Sequence, residues 1–64
     1  MFALLKPYLD ESLEKKKGIT FYVNGNTVVG YVSQIFDTTA VEVKNRNSSK
    51  VLIAIDKIDA VELS

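Results

Sequence analysis

The sequence predicts a mainly β domain, one N-terminal α-helix followed by a five-stranded, strongly bent small barrel, and three observations lead there. A helical period before Gly18 gives way to a period of two from Ile19 onward. Turn residues (Asn, Gly, Asp, Ser) then divide the remainder into short β-branched and aromatic runs. Gly30 interrupts the longest of these runs, and a glycine inside a strand marks sharp bending or a close backbone approach, as a small barrel needs where a strand passes from one sheet to the next.

The helix is expected over about 5–17 and the barrel over about 18–63, one domain in residues 1–64. Pro7 suits a first helical turn because its missing N–H is unpaired there anyway, and Asp10 and Glu11 follow near the positive end of the dipole. Lys15, Lys16 and Lys17 fall where cations favour the negative end, and Gly18 is placed to close the helix in a left-handed conformation. Leu5, Tyr8, Leu9 and Leu13 form the apolar stripe that should rest on the strands.

In the first strand Ile19, Phe21 and Val23 face one way and Thr20, Tyr22 and Asn24 the other. Asn24-Gly25-Asn26 is a tight-turn signature, since Asn and Gly tolerate positive φ, and TVVGYVSQIF follows as the second strand. Val28 and Val32 share a face; whether Phe36 or Ile35 continues it depends on a bulge near Ser33 and Gln34. Asp37-Thr38 turns the chain into a third strand with Val41 and Val43 inward, and residues 45–49 form a solvated loop. The fourth strand, Lys50 with Val51, Leu52, Ile53, Ala54 and Ile55, is apolar on both faces, which implies burial on both sides; the fifth begins at Ile58, after Asp56-Lys57.

At 64 residues the chain buries only about 60% of the surface it exposes unfolded, and with no Cys and no His it has neither disulfides nor the usual zinc ligands to compensate. Self-association is the expected source of further burial. Eight Lys plus Arg balance eight Asp plus Glu, so any site for a polyanion must be local. The longest apolar run, five residues, is far short of the ~20 of a membrane span, and the first five residues are too few for a signal core. A soluble cytoplasmic protein without membrane partners is expected.

Helix, then five strands with a bent second, is the order of an SH3-like small barrel. Pro7-Tyr8-Leu9, Val23-Asn24-Gly25, Gly30, Asp37, Val43-Lys44-Asn45 and Ile58-Asp59-Ala60-Val61, in this order over residues 5 to 63, resemble the Sm-like (LSm) family, closest to its bacterial Hfq branch. The resemblance implies the Sm fold and a cyclic homo-oligomer, five to seven subunits, in which the fourth strand pairs with the fifth of the next subunit. Val51, Leu52, Ile53, Ala54, Ile55, Asp59, Ala60 and Val61 would form that interface. An apolar edge is otherwise an aggregation hazard, and head-to-tail closure leaves no edge free. The resemblance further implies binding of single-stranded RNA, as an RNA chaperone or scaffold does.

The chain also departs from the family. Thr39 falls where the base-stacking aromatic would be and Val41 where the eukaryotic and archaeal Asn would be. Ile55-Asp56 replaces the Lys-His pair of Hfq, and Ala54-Ile55 the Arg-Gly of other members. Six residues, not five, separate Gly30 from Asp37. The usual uridine pocket, to which Asp37, Thr39, Asp56 and Lys57 correspond, has therefore lost its chemistry, and Asp56 near a pore would repel phosphate.

Two surfaces remain as RNA candidates. Lys15, Lys16 and Lys17 resemble the basic rim of the Hfq helix, although the helix dipole and solubility alone also favour lysines there. Phe21 stands in the place of the purine-stacking aromatic of Hfq, with Tyr22, Asn26 and Thr27 nearby, although its alternation with Ile19 and Val23 favours the core over an RNA contact. Tyr22 is the exposed alternative. Without His, Cys or a phosphate-cradling Gly loop no enzyme site is expected; the carboxylate pairs Asp56/Asp59 and Asp10/Glu14 read as solvated, and neither metal nor cofactor is predicted. The competing readings are a structural or protein-binding ring that has lost RNA, and a monomeric SH3-like adaptor for peptides.

Overall fold

A computed structural model describes residues 2–64: helix α1 (Phe2–Lys15), strands β1 (Ile19–Val23), β2 (Asn26–Phe36), β3 (Ala40–Lys44) and β4 (Lys50–Ala54), a 3₁₀ turn (Ile55–Lys57), and β5 (Ile58–Leu63). All pairings are antiparallel and the strand order is β4-β3-β2-β1-β5. The chain is thus mainly β, an N-terminal helix followed by a five-stranded bent antiparallel sheet, consistent with the Sm-like fold. β2 serves both halves of the sheet, residues 26–30 pairing with β1 and 31–36 with β3.

Gly30 lies at this junction. A Cβ there would clash with the Lys44 backbone carbonyl and stand 2.9 Å from Val43 Cγ1, so only glycine lets β3 cross the bend this closely. The β1–β2 connection is the two-residue turn expected, with φ of 52° at Asn24 and 80° at Gly25, the mirror-type geometry that matches strand twist. The second-strand register is settled by a bulge at Ser33, where pairing shifts between Val32 and Gln34. Ile35 therefore turns inward and Phe36 outward, and the bulge absorbs the sixth residue between Gly30 and Asp37.

The helix differs from expectation at both ends. It begins by Phe2 rather than near residue 5, so Pro7 lies inside it and no acidic residue occupies its first turn. The proline removes only the N–H that would have met the carbonyl of Ala3, an exposed residue where water can serve instead. The helix stops at Lys15, and the left-handed residue is Lys16 (φ 52°), not Gly18. Gly18 instead accepts a 2.9 Å bond from the Ser64 N–H, tying the helix exit to the end of β5.

Tyr8 is 46% exposed and leaves the predicted stripe; Leu5 and Leu9 are buried, Leu13 packs half-buried against the core, and the third buried residue of the helix is Ser12, which the stripe did not include. Ser12 is fully buried because its hydroxyl is used twice: it donates to the Lys17 carbonyl (2.7 Å) and accepts from the Val32 N–H (2.9 Å). One side chain so satisfies a carbonyl beyond the helix end and a strand donor just past the bend. Around it Leu9, Ile19, Phe21, Val32, Val41, Val43, Ile53, Ile55 and Ile58 form the core under α1.

Within the single chain β4 is covered on one face: Ile53 is buried, whereas Leu52 is 67% exposed and Ala54 lies open on the other, the side that the sequence leaves to an adjacent subunit. β4 and β5 are the two ends of the sheet, each hydrogen-bonded to one strand only.

Candidate nucleic-acid interface

The lysine run at the helix exit divides as the backbone reverses at Lys16. Lys15 closes the helix. The Lys17 ammonium lies 2.9 Å from Glu11 Oε2, and this hydrogen-bonded cation holds the Glu11 carboxyl below its ordinary value. Lys16 points the other way, its Nζ 5.4 Å from the centroid of the Tyr31 ring, a cation–π arrangement. The three lysines are therefore not one patch.

Phe21 is fully buried among the core side chains, so the stacking role considered for it is not open to it in this fold: its strand period places it beside Ile19. Tyr22, on the other face, is 37% exposed. Its hydroxyl donates to Glu62 Oε1 at 2.8 Å, and that bond, with the carboxylate charge, raises the phenol above its ordinary value. Thr27 is its cross-strand partner and Ala60 its partner on β5, while Asn26 alternates to the opposite side. This face offers an aromatic ring already engaged by an acid.

The candidates Thr39 and Asp56 come together at two adjoining turns. Ile55 donates its N–H to the Thr39 carbonyl (2.8 Å), which brings the β2–β3 turn against the 3₁₀ turn. Thr38, Thr39, Ile55 and Asp56 line a hollow of about 300 Å³ there. Asp37 holds the turn with φ of 56°, and the Thr39 hydroxyl is spent on the Phe36 carbonyl at 2.9 Å. Asp56 and Lys57 also border a second hollow with Asn24 and Asp59, where the Asp59 carboxylate accepts the Asn24 N–H at 2.9 Å. Among the described residues no group of three or more His, Cys, Asp or Glu is placed to hold a metal ion, and no helix is long and apolar enough to cross a membrane.

Of the expected interface residues, Leu52, Ala54 and Ala60 are exposed, and Val51 and Val61 are half-buried. Ile53 and Ile55 are buried in the core of the chain itself.

One cleft brings Tyr31 and Arg46, which were not singled out from the sequence, together with Gly18, Gly30, Lys44 and Asn45, which were noted there but not as site residues. Gly18, Val29, Gly30, Tyr31, Lys44, Asn45, Arg46 and Asn47 surround about 560 Å³ at the bend of β2, and no carboxylate lines it. Tyr31 is the cross-strand partner of Lys44, and Lys44 that of Lys50. The β3–β4 loop is held by the Asn45 side-chain oxygen, which accepts the N–H groups of Asn47 (2.9 Å) and Ser49 (3.0 Å). Hairpin arithmetic was the available signal: strands ending at Lys44 and starting at Lys50 set those lysines opposite one another.

No protein-family model matches this chain, and no curated protein matches it.

Proposed function

We propose that the chain is one subunit of a cytoplasmic Sm-like homo-oligomeric ring of five to seven copies that binds single-stranded RNA without the usual uridine-pocket residues. The observation that carries this reading is the sheet open at both ends, with β4 and β5 each unpaired on one side and Leu52 67% exposed on the first. Head-to-tail pairing of β4 with a neighbour's β5 supplies backbone partners to both edges and covers Leu52, and its repetition closes a ring. The Hfq resemblance and the cations without carboxylate partners around the β2 bend support RNA as the ligand; repetition around a ring makes such local charge polyvalent.

Anisotropy titration into labelled U-rich and A-rich single strands at two salt concentrations, with duplex DNA as control, tests the reading. Salt-dependent binding in the micromolar range or tighter that prefers single strands is expected. The second reading, a ring kept for protein contacts, is favoured by the acidic hollow at Thr39 and Asp56 and by zero net charge. Failure to bind either RNA at low salt would support that second reading.

A further inference from the structure

We infer that RNA engages this protein at the β2 bend, through a row formed by Tyr31, Lys44 and Lys50 with Lys16 and Arg46 beside it; the inference rests on the RNA-binding reading above and names its site. Tyr31, Lys44 and Lys50 are successive cross-strand partners on β2, β3 and β4, so their side chains stand in line on one face of the sheet. Like charges directly opposite one another destabilise a sheet, and Lys44–Lys50 is such a pair, with no salt bridge to either lysine among the described residues. Arg46 enters from the loop that joins them and has no ion-pair partner among these residues either. The nearest acid along β3 on this face, Glu42, is held by the Ser33 hydroxyl at 2.9 Å.

A neutral protein that gathers Lys16, Lys44 and Arg46 about one aromatic ring, with Lys50 on the next strand of the row, has made a local site for a polyanion. The ring sets the chemical class. An acidic peptide would need only the cations, whereas a single-stranded nucleic acid presents phosphates to Lys44 and Arg46 and an unstacked base to Tyr31. Asn45 contributes further: its oxygen is used within the loop, and its amide N–H groups are left as donors for a base edge or a phosphate oxygen. A cleft of about 560 Å³ lies within the range that small ligands occupy, roughly 300–1,000 Å³.

The test compares the wild type with Lys44→Gln/Arg46→Gln, Tyr31→Leu, Tyr31→Phe and Tyr22→Leu, with Lys6→Gln as a charge-loss control outside the row. Each is checked by circular dichroism and light scattering for unchanged fold and mass, then titrated by anisotropy into A-rich and U-rich RNA across a salt series. The double Gln variant should lower the slope of log affinity against log salt by about 1.4, since each phosphate contact to a single strand contributes about 0.7. Tyr31→Leu should weaken binding by about 5- to 150-fold and Tyr31→Phe should restore most of it, the signature of stacking. Lys6→Gln should leave affinity near that of the wild type.

If the wild type binds RNA while the double Gln and Tyr31→Leu variants match it, or Tyr22→Leu loses more than Tyr31→Leu, the site lies elsewhere and only this inference falls. A wild type that binds no RNA overturns the inference and the RNA reading together. Polyglutamate competing as well as RNA of equal charge would overturn the nucleic-acid assignment in favour of an acidic protein partner.

Discussion

Replacing Ser12 by Ala should destabilise the protein far more than its small size suggests. The hydroxyl is fully buried and serves two backbone groups, the Val32 N–H at 2.9 Å and the Lys17 carbonyl at 2.7 Å. Val32 is itself 1% exposed, so its donor would be stranded away from water, a loss of about 1–3 kcal/mol. Lys17 is an exposed residue, so its carbonyl regains water and forfeits only the net bond, about 0.5–1.5 kcal/mol. Alanine's better helix propensity returns about 0.5 kcal/mol. The balance is a destabilisation of about 1–4 kcal/mol, against a total near 3–10 kcal/mol for a domain of this length. Thermal unfolding by circular dichroism at fixed protein concentration should show Tm falling by roughly 7–30 °C. Ser33→Ala is the matched comparison: Ser33 is half-buried and bonds mainly to a Glu42 side chain that water can serve, so its loss should stay below about 1 kcal/mol. A Ser12→Ala protein within 0.5 kcal/mol of the wild type, or no less stable than Ser33→Ala, would refute the double-bond role assigned to this hydroxyl.

Gly30→Ala should cost about 1–3 kcal/mol in urea unfolding, because its Cβ meets the backbone of Lys44 rather than a movable side chain; an unchanged midpoint would mean β3 does not cross the bend this closely. Lys44→Glu should raise the Tm of the RNA-free protein by turning a like-charge cross-strand pair into an opposite-charge one, a gain of about 0.2–1 kcal/mol, while weakening RNA binding. A fall in both would indicate a structural role for the lysine. Glu62→Gln should lower the pH at which Tyr22 ionises back toward its ordinary value of 10.0, read as phenolate absorbance, since the carboxylate is what raises it. Its sign follows: the raised phenol contributes stability that is complete below the unfolded value and fades as pH climbs through the folded one, so Glu62→Gln should flatten only the alkaline limb of a stability–pH curve. Glu11, lowered by Lys17, works in reverse, its contribution present above 4.5 and lost on acidification, so Lys17→Gln should flatten the acid limb.

Much of the fold was legible because certain residues accept few conformations. Asn24-Gly25 could only be a tight turn once two residues of positive φ were needed between paired strands, and the mid-strand Gly30 could only mean bending or close approach. The helix boundaries were less legible, since Pro7 and Gly18 carry strong local expectations that the fold overrode: the Gly18 carbonyl is bonded to the Ser64 N–H, and Lys16 took the left-handed position. Ser12 was hidden for a different reason. A serine between charged residues reads as surface, and only the arrival of Val32 from twenty residues away makes it core. Of the candidate site, Thr39 and Asp56, singled out from the sequence only through its resemblance to Hfq, do line one hollow. The Tyr31–Lys44–Lys50 row required a pairing register across three strands, which runs of residue types do not display until the bulge at Ser33 is placed.

The central claim, a closed ring carrying single-stranded RNA, is tested most directly by size-exclusion light scattering of the purified protein with an A-rich oligonucleotide, absorbance at two wavelengths giving the RNA content of each peak. Built from subunits of 7.1 kDa, the account predicts one protein mass of about 36 to 50 kDa, independent of loading concentration, with RNA in the same peak. A 7.1 kDa species at micromolar concentration, or a ring whose peak holds no RNA at low salt, would contradict it.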